Sequence, residues 1–450
     1  MKEKFLKALQ DKDFAELFKK AGASFLMRVG GQIMGFLLTL IIARYFGASG
    51  LGDYVLSIIV LRVFVMIAKL GMDTASIKVI ASFATQNKWQ SIKHYRKQVI
   101  SVLTVTSIIA SIILYFFAEP IAQLIGTKSS YIILNAFFIL PMSFFVLNYQ
   151  SLRGLKKIGD YSFFYWMSRP AFSVIIILII IQFTLNANAP IYAFLSSLFL
   201  VSVLAHITFS LRLNAKQKKK EEDETFHKMP IKSILLLSLP LMFAQSGQFI
   251  MAWADKLMLG GMTYDTLGMT SSHDVGIYDV AFKLSMFVNI ALTAVSSINA
   301  PKFAELYAMK DFERLEKIVH QSTKLIFWTS IPLLVVFFFS SSYLLGIFGV
   351  DFKEGLFVFL LLCSARLVSA FTGPAANLLQ MTGRQVIFMQ VLFAGAVINI
   401  VMNYFLIPIY GIAGAAIATM SSIVFWNVTM VYFVKKEFGF LTIYNPFKTI

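Results

Sequence analysis

Residues 173–183 read Ser-Val-Ile-Ile-Ile-Leu-Ile-Ile-Ile-Gln-Phe, a run with no charge and no alternation of polar and apolar side chains. A barrel strand with lipid on one face and water on the other alternates every second residue, and this run does not. Taken from Tyr161 to Phe183 it reaches the roughly 20 residues an α-helix needs to cross a hydrocarbon core of about 30 Å. The stretch therefore predicts a transmembrane helix.

Similar blocks recur along the chain. In the first half they lie near Phe25–Tyr45, Tyr54–Gly71, Val99–Ala118, Tyr131–Asn148, Tyr161–Phe183 and Ile191–Leu211. In the second half they lie near Ile234–Leu257, Val275–Ile298, Leu325–Ser340, Gly355–Leu379, Ile387–Ile407 and Ile412–Val434. With 58% hydrophobic and 14% charged residues over 450 positions, the chain is too apolar for a soluble multidomain protein. The expected fold is an all-α polytopic membrane protein of about twelve transmembrane helices, arranged as two pseudo-symmetric six-helix bundles around a central cavity.

The formal charge of +17 could point to nucleic acid, but a nucleic-acid reader gathers its Lys and Arg on one soluble face. Here they are sorted by loop. One side takes Lys2, Lys4, Lys7, Lys12, Lys19 and Lys20, then Lys78 to Lys97, then Arg153, Lys156 and Lys157. It continues with Arg212 to Lys232, Lys302 to Lys317, Arg384, Lys435, Lys436 and Lys448. The other side has only Arg44, Lys128 and Lys353, with Lys256 at the rim. Positive charge marks the cytoplasmic face, which puts both termini inside and excludes nucleic acid as the partner. Anionic membrane lipids are the expected surface contact.

The first 20 residues lack the apolar core and small-residue cleavage site of a signal peptide. Phe5, Leu6, Leu9, Leu17 and Phe18 suit an interfacial helix instead. The single cysteine, Cys363, lies in an apolar span and reads as a buried structural thiol.

The most polar internal stretch, Asn214 to Lys228, falls near the midpoint. It divides the chain into an interfacial segment (1–20), an N-terminal bundle (21–212), a charged linker (213–230), a C-terminal bundle (231–435) and a tail (436–450). The halves repeat. Gly31-Gln32-Ile33 matches Gly247-Gln248-Phe249, Gly52-Asp53-Tyr54 matches Gly276-Ile277-Tyr278, and Gln150 with Gly154 matches Gln380 with Gly383. An even number of spans per half makes the repeat parallel, and two such bundles leave a cleft suited to alternating access.

No covalent chemistry is written in the sequence. There is no phosphate loop, the five histidines are scattered, and neither metal nor cofactor is called for, so the chain reads as a transporter and not as an enzyme. The informative residues are ions inside spans: Arg28, Arg62, Arg169, Lys283 and Arg366, against Asp255 and Asp279. Each centred charge costs about 2.5–3.5 kcal/mol unless paired or hydrated. Helical spacing puts Arg28, Gln32, Gly35 and Thr39 on one face, Arg62, Lys69 and Asp73 on another, and Arg366, Ser369, Gly373, Asn377 and Gln380 on a third. Gln248 and Asp255 are nearly aligned in span seven. Structural ties are the competing reading, above all for the Asp279–Lys283 pair at i and i+4. A net cationic cavity selects an anionic substrate, whose phosphate oxygens Arg grips in a bidentate fork. Asp255 and Asp279 are the candidates for a coupling ion. The Gly411–Ala416 run reads as close helix packing.

These segments resemble the polysaccharide and oligosaccharide-lipid flippases of the multidrug/oligosaccharidyl-lipid/polysaccharide exporter superfamily. The resemblance is carried by Ala43-Arg44-Tyr45-Phe46-Gly47 leading to Gly52-Asp53-Tyr54, Leu70-Gly71-Met72-Asp73, and Ala254-Asp255-Lys256-Leu257-Met258-Leu259-Gly260. It continues through Val275-Gly276-Ile277-Tyr278, Pro301-Lys302-Phe303, Gln380-Met381-Thr382-Gly383 and Ile407-Pro408 to Ala418. It implies translocation of an undecaprenyl-pyrophosphate-linked oligosaccharide across a bacterial cytoplasmic membrane, for O-antigen, capsule or exopolysaccharide assembly. A polymerase and glycosyltransferases are the implied partners. Twelve spans fit those flippases better than the peptidoglycan-precursor flippases, which look like fourteen. On this reading Arg62, Arg169 and Arg366 hold the pyrophosphate, with Arg28 at its cytoplasmic access. Gln248, Asn377 and Gln380 bond sugar hydroxyls. The rivals are an organic-cation antiporter of the same fold, which wants a carboxylate-rich cavity, and a non-transporting scaffold for glycosyltransferases.

Overall fold

A computed structural model describes residues 12–217, 229–262 and 271–444, and no β-strand occurs among them. Phe5, Leu6, Leu9 and the linker charges Lys218 to Glu224 lie outside the described residues, as do the side chains of Leu17 and Phe18. The first five positions of the expected linker, Leu213–Gln217, are the end of the helix Ala189–Gln217.

Two helices are longer than any membrane is thick: Lys12–Ala68, of 57 residues, and Gln385–Phe438, of 54. At 1.5 Å per residue each would run roughly 80 Å if straight. Each turns at a single glycine with positive φ, Gly47 (φ 67°) and Gly411 (φ 56°), a conformation that costs other residues a Cβ clash. Successive crossings are thus joined through one residue and not through a loop. Seven of the described helices are long and apolar enough to cross a membrane, and the bent pairs Ser129–Ala136 with Ile139–Gly154 (55°) and Ser271–Met286 with Asn289–Ala308 (47°) make nine. Dividing the two long helices at their glycines and adding the apolar stretch Ile231–Phe243 is consistent with twelve crossings. The chain is a multi-pass integral membrane protein.

It folds as two compact units. One holds the described residues up to Phe46, Ser57–Gln123 and Thr127–Ser246; the other holds Gly47–Leu56, Leu124–Gly126 and the described residues from Gly247 on. At the centre of the first is the helix Ile139–Gly154, which packs against Ala189–Gln217, Met72–Thr85 and Trp89–Phe116. In the second, Leu356–Thr372 packs against Gln385–Phe438, Ser271–Met286 and Phe312–Phe339.

Residues 47–56 join the second unit through two glycines. A Cβ on Gly52 would lie 1.6 Å from the Ser272 carbonyl oxygen, and one on Gly276 would lie 2.1 Å from the Ala48 carbonyl oxygen. The contact is reciprocal: Gly52 and Gly276 are the repeat-related pair, and Ala48 and Ser272 are related by the same offset. Small residues four apart let two backbones touch where any side chain would hold them apart. Gly414 likewise lies against the segment before the Gly411 bend, with the Leu406 oxygen 2.3 Å from the Cβ it lacks. The third repeat pair differs, because Gly154 packs on Ile80 whereas Gly383 has φ 79° and open space around it.

Two of the polar stripes are interrupted. Helix Lys12–Ala68 ends before Leu70 (φ 48°) and Gly71 (φ 73°), so Lys69 and Asp73 are joined across a break, with Nζ to Oδ2 at 2.7 Å. Helix Leu356–Thr372 ends at Gly373 (φ 66°) and Pro374, so Asn377 and Gln380 belong to a separate helix, Ala375–Met381. Uninterrupted helical spacing does not apply across either break, because positive φ redirects the chain and Pro374 cannot donate to the preceding turn.

Candidate functional site

In the second unit the ionisable residues form a connected set. Asp255, on helix Ile231–Gly261, is buried and accepts hydrogen bonds from three neutral donors: Tyr278 Oη (3.0 Å), Asn403 Nδ2 (2.7 Å) and Thr419 Oγ1 (2.5 Å). Asn403 Nδ2 also donates to Asn399 Oδ1 at 3.1 Å. Asp279, the residue after Tyr278, is buried between two lysines, Lys256 Nζ at 2.5 Å and Lys283 Nζ at 2.6 Å. The carboxylate offsets one of those charges. Asp255 formally offsets the other, so Arg366 is what leaves the set cationic, by one charge.

Phe282 links the parts. Its ring stacks on Tyr278 at 6.2 Å, lies 4.9 Å from Lys256 Nζ and 5.5 Å from Arg366 Cζ. Arg366 is 5% exposed, and its Nε is enclosed without a hydrogen-bond partner. No hydrogen bond or ion pair to Arg366 is present among the described residues. An arginine carries five donors and no acceptor, so one placed against an aromatic face needs an anion or water to complete it.

The remaining candidates of this unit stand apart. Asn377 is half-buried with its Oδ1 enclosed and unbonded, and Gln380 is exposed. Gln248 lies within helix Ile231–Gly261, and its side chain is outside the described residues. Asn427 faces the bundle, bonding Ser369 at 3.1 Å and Thr372 at 3.0 Å. Cys363 is buried.

In the first unit, Arg28 is half-buried with its guanidinium 4.9 Å from the Trp166 ring centre, and Arg169 lies 5.5 Å from that of Phe194. Gln32 is exposed, and Arg62 is half-buried on helix Lys12–Ala68. Of the five cations read from sequence, three (Arg28, Arg62, Arg169) fall in this unit and two (Lys283, Arg366) in the other.

The polysaccharide biosynthesis protein family model matches residues 17–307. The chain belongs to this family. The MatE family model matches residues 240–405, within the second half. Two relatives from the archaeon Haloferax volcanii are the "Probable low-salt glycan biosynthesis flippase Agl15", 24% identical over 39% of this chain, and the "Probable flippase AglR", 27% identical over 40%. The matches span about a third of those flippases' own length, 36% and 37%. An uncharacterized membrane protein of Methanocaldococcus jannaschii is 23% identical over 85% of this chain and 76% of its own. Among solved structures, "Lipid II flippase MurJ, inward closed conformation" superposes with a TM-score of 0.69 at 16% identity, covering 93% of this chain and 87% of that one. A multidrug resistance MATE family transporter of the MOP superfamily superposes with a TM-score of 0.63 at 15% identity, covering 92% and 98%. At such identities the likeness is one of fold, which this polysaccharide biosynthesis family member shares with both structures.

For this family member, reading the residues alone missed several partners. Lys256 was placed at the rim by loop counting, yet it is 3% exposed and sits on Asp279, because burial beside Trp253 and Phe282 depends on which way the helix faces. Asn399, Asn403 and Thr419 carry no charge and escaped a search for ions; two asparagines four apart in an apolar span were the available signal. Arg96 was counted as a loop cation, but it is buried, donating to Asn148 Oδ1 and lying 3.9 Å from the Phe209 ring centre.

Proposed function

We propose that this chain is a flippase that moves an anionic, polyprenyl-pyrophosphate-linked oligosaccharide across the membrane by alternating access. The observation that carries the reading is Arg366: a buried guanidinium with no hydrogen-bonded or ion-paired anion among the described residues, in a set where three cations face two carboxylates. A phosphate group supplies the missing acceptors in bidentate form. Family membership, the relative named a probable low-salt glycan biosynthesis flippase and the one named a probable flippase support a glycan-bearing cargo. An organic-cation exporter would need a free carboxylate, whereas Asp279 is held by two lysines and Asp255 by three donors.

In the narrower form of the proposal the carrier is undecaprenyl, the membrane is the bacterial cytoplasmic membrane, and the product feeds O-antigen, capsule or exopolysaccharide. In the second unit Arg366 would contact the pyrophosphate, with Gln248, Asn377 and Gln380 on sugar hydroxyls; Arg28, Gln32, Arg62 and Arg169 are the substrate-binding candidates of the first unit. Lys283 would exchange between Asp279 and the substrate. Asp255 would be the coupling-ion residue.

The test is lipid-linked saccharide transported per folded molecule in proteoliposomes. Arg366→Ala should lose at least tenfold, and Arg366→Lys should keep part of the activity, since charge survives while the fork is lost. The same pattern is expected at Arg62 and Arg169. Normal transport per molecule in all three alanine variants would remove the cationic site from substrate handling. Mass spectrometry of the lipid-linked saccharide that accumulates in a deletion strain identifies carrier and glycan.

A further inference from the structure

Four aromatic residues of the first unit have no part in the reading above. They are placed by Pro170, which cannot donate to the carbonyl of Trp166 four residues earlier, and the helix relaxes there into a π turn over Phe163–Ser168. The Trp166 carbonyl faces Gly31, where a Cβ would come within 2.2 Å of its oxygen. That close approach brings Arg28, one turn earlier on the same helix, over the Trp166 ring.

Around the π turn the rings form a group. Tyr161 and Tyr165 are stacked with centres 5.4 Å apart and planes 12° apart, Tyr149 lies 5.4 Å from Tyr165, and Trp166 meets Tyr165 edge-on at 4.5 Å. Tyr165 is 41% exposed, so the group has an open side. Arg153 lies 5.3 Å from the Tyr161 ring centre and Arg28 4.9 Å from that of Trp166. Neither arginine has a carboxylate partner among the described residues. Nor has any hydroxyl of Tyr149, Tyr161 or Tyr165 a hydrogen-bond partner there, although Tyr149 is more than nine-tenths buried.

Ring faces, unbonded hydroxyls and two uncompensated guanidinium groups within one cluster match a single ligand chemistry. A sugar ring offers an apolar C–H face to an aromatic side chain and hydroxyls to the tyrosine oxygens, while a phosphate at its first carbon takes the arginines. An organic cation would be repelled by both arginines. The cluster also sits at the end of the unit that carries Lys156, Lys157 and the Arg212–Asp160 ion pair, the end at which anionic lipid headgroups are expected.

We propose that Tyr149, Tyr161, Tyr165 and Trp166, with Arg28 and Arg153, form a glycosyl-phosphate subsite that reads the first sugar of the lipid-linked substrate. The proposal rests on the flippase reading and deepens it: the arginines provide affinity for the phosphate and the rings provide discrimination for a sugar over a bare polyprenyl pyrophosphate.

The experiment compares binding of farnesyl pyrophosphate and farnesyl-pyrophosphate-linked N-acetylglucosamine to the full chain in nanodiscs. The wild type should bind the glycosylated probe about three- to tenfold more tightly, as expected for one aromatic stacking contact. Tyr165→Ala and Trp166→Ala should remove that preference, lowering affinity for the glycosylated probe more than affinity for farnesyl pyrophosphate. Tyr165→Phe, which keeps the ring, should retain most of it and guards against misfolding as the cause. Equal binding of the two probes by the wild type, or an undiminished preference in both alanine variants, overturns the subsite. The flippase reading fails separately, if the wild type moves no labelled glycolipid across a vesicle membrane.

Discussion

Asp255 and Asp279 lie on different helices and meet different partners. Asp279 has two cations on it, so removing its charge strands Lys256 in a buried position, whereas Asp255 is held by dipoles alone. Breaking a buried pair from one side costs about 3–5 kcal/mol, while replacing both partners by apolar or neutral groups costs far less. Asp279→Asn should therefore lower the melting temperature sharply, and adding Lys256→Met should recover most of the loss, read by fluorescence-detected gel filtration after heating. A double variant no more stable than the single one would show that the pair is not the stabilising contact. Asp255→Asn keeps the shape and loses only the charge. It should leave folding intact and abolish the dependence of transport on an imposed ion or proton gradient, and a variant that still responds to the gradient would exclude Asp255 from coupling.

At the scale of the element, glycine decides where these helices turn and touch. Gly52 and Gly276 have no room for a methyl group, with carbonyl oxygens 1.6 Å and 2.1 Å from the Cβ position, whereas Gly35 has nothing within 4 Å. Gly276→Ala and Gly52→Ala should each reduce the yield of folded protein several-fold, because helix backbones must separate to accept the side chain. Gly35→Ala should be neutral or stabilising by about 1 kcal/mol, the helix-propensity difference. Equal behaviour of the three variants in thermal melts would refute the crossing. The repeat in the sequence acquires a physical meaning here, since the related glycines pack against each other's neighbours.

At the scale of the whole molecule, the loop charges of the sequence set the expected topology. Tight turns with positive φ at Asn87, Lys156 and Lys310 join helices at basic loops within each unit. Reporter fusions at Lys156 and Arg314 should read cytoplasm and those at Gly126, Asn188 and Ser271 the opposite side, as the loop charges require. Two or more reversed labels would invert or break the topology.

The sequence by itself determined the all-helical membrane fold, because continuous apolar runs of about 20 residues leave the backbone no other way to satisfy its hydrogen bonds in lipid. It also marked Asp255, Asp279 and Arg366, since a charge within such a run is costly enough to stand out. Tertiary structure decided what those charges meet. That Lys256 turns inward to Asp279, that Asn403 and Thr419 meet Asp255, and that Arg28 lies over the Trp166 ring depend on contacts between helices distant in sequence. Neutral polar and aromatic side chains cost little wherever a span places them, so only packing distinguishes those that face a site from those that fill space.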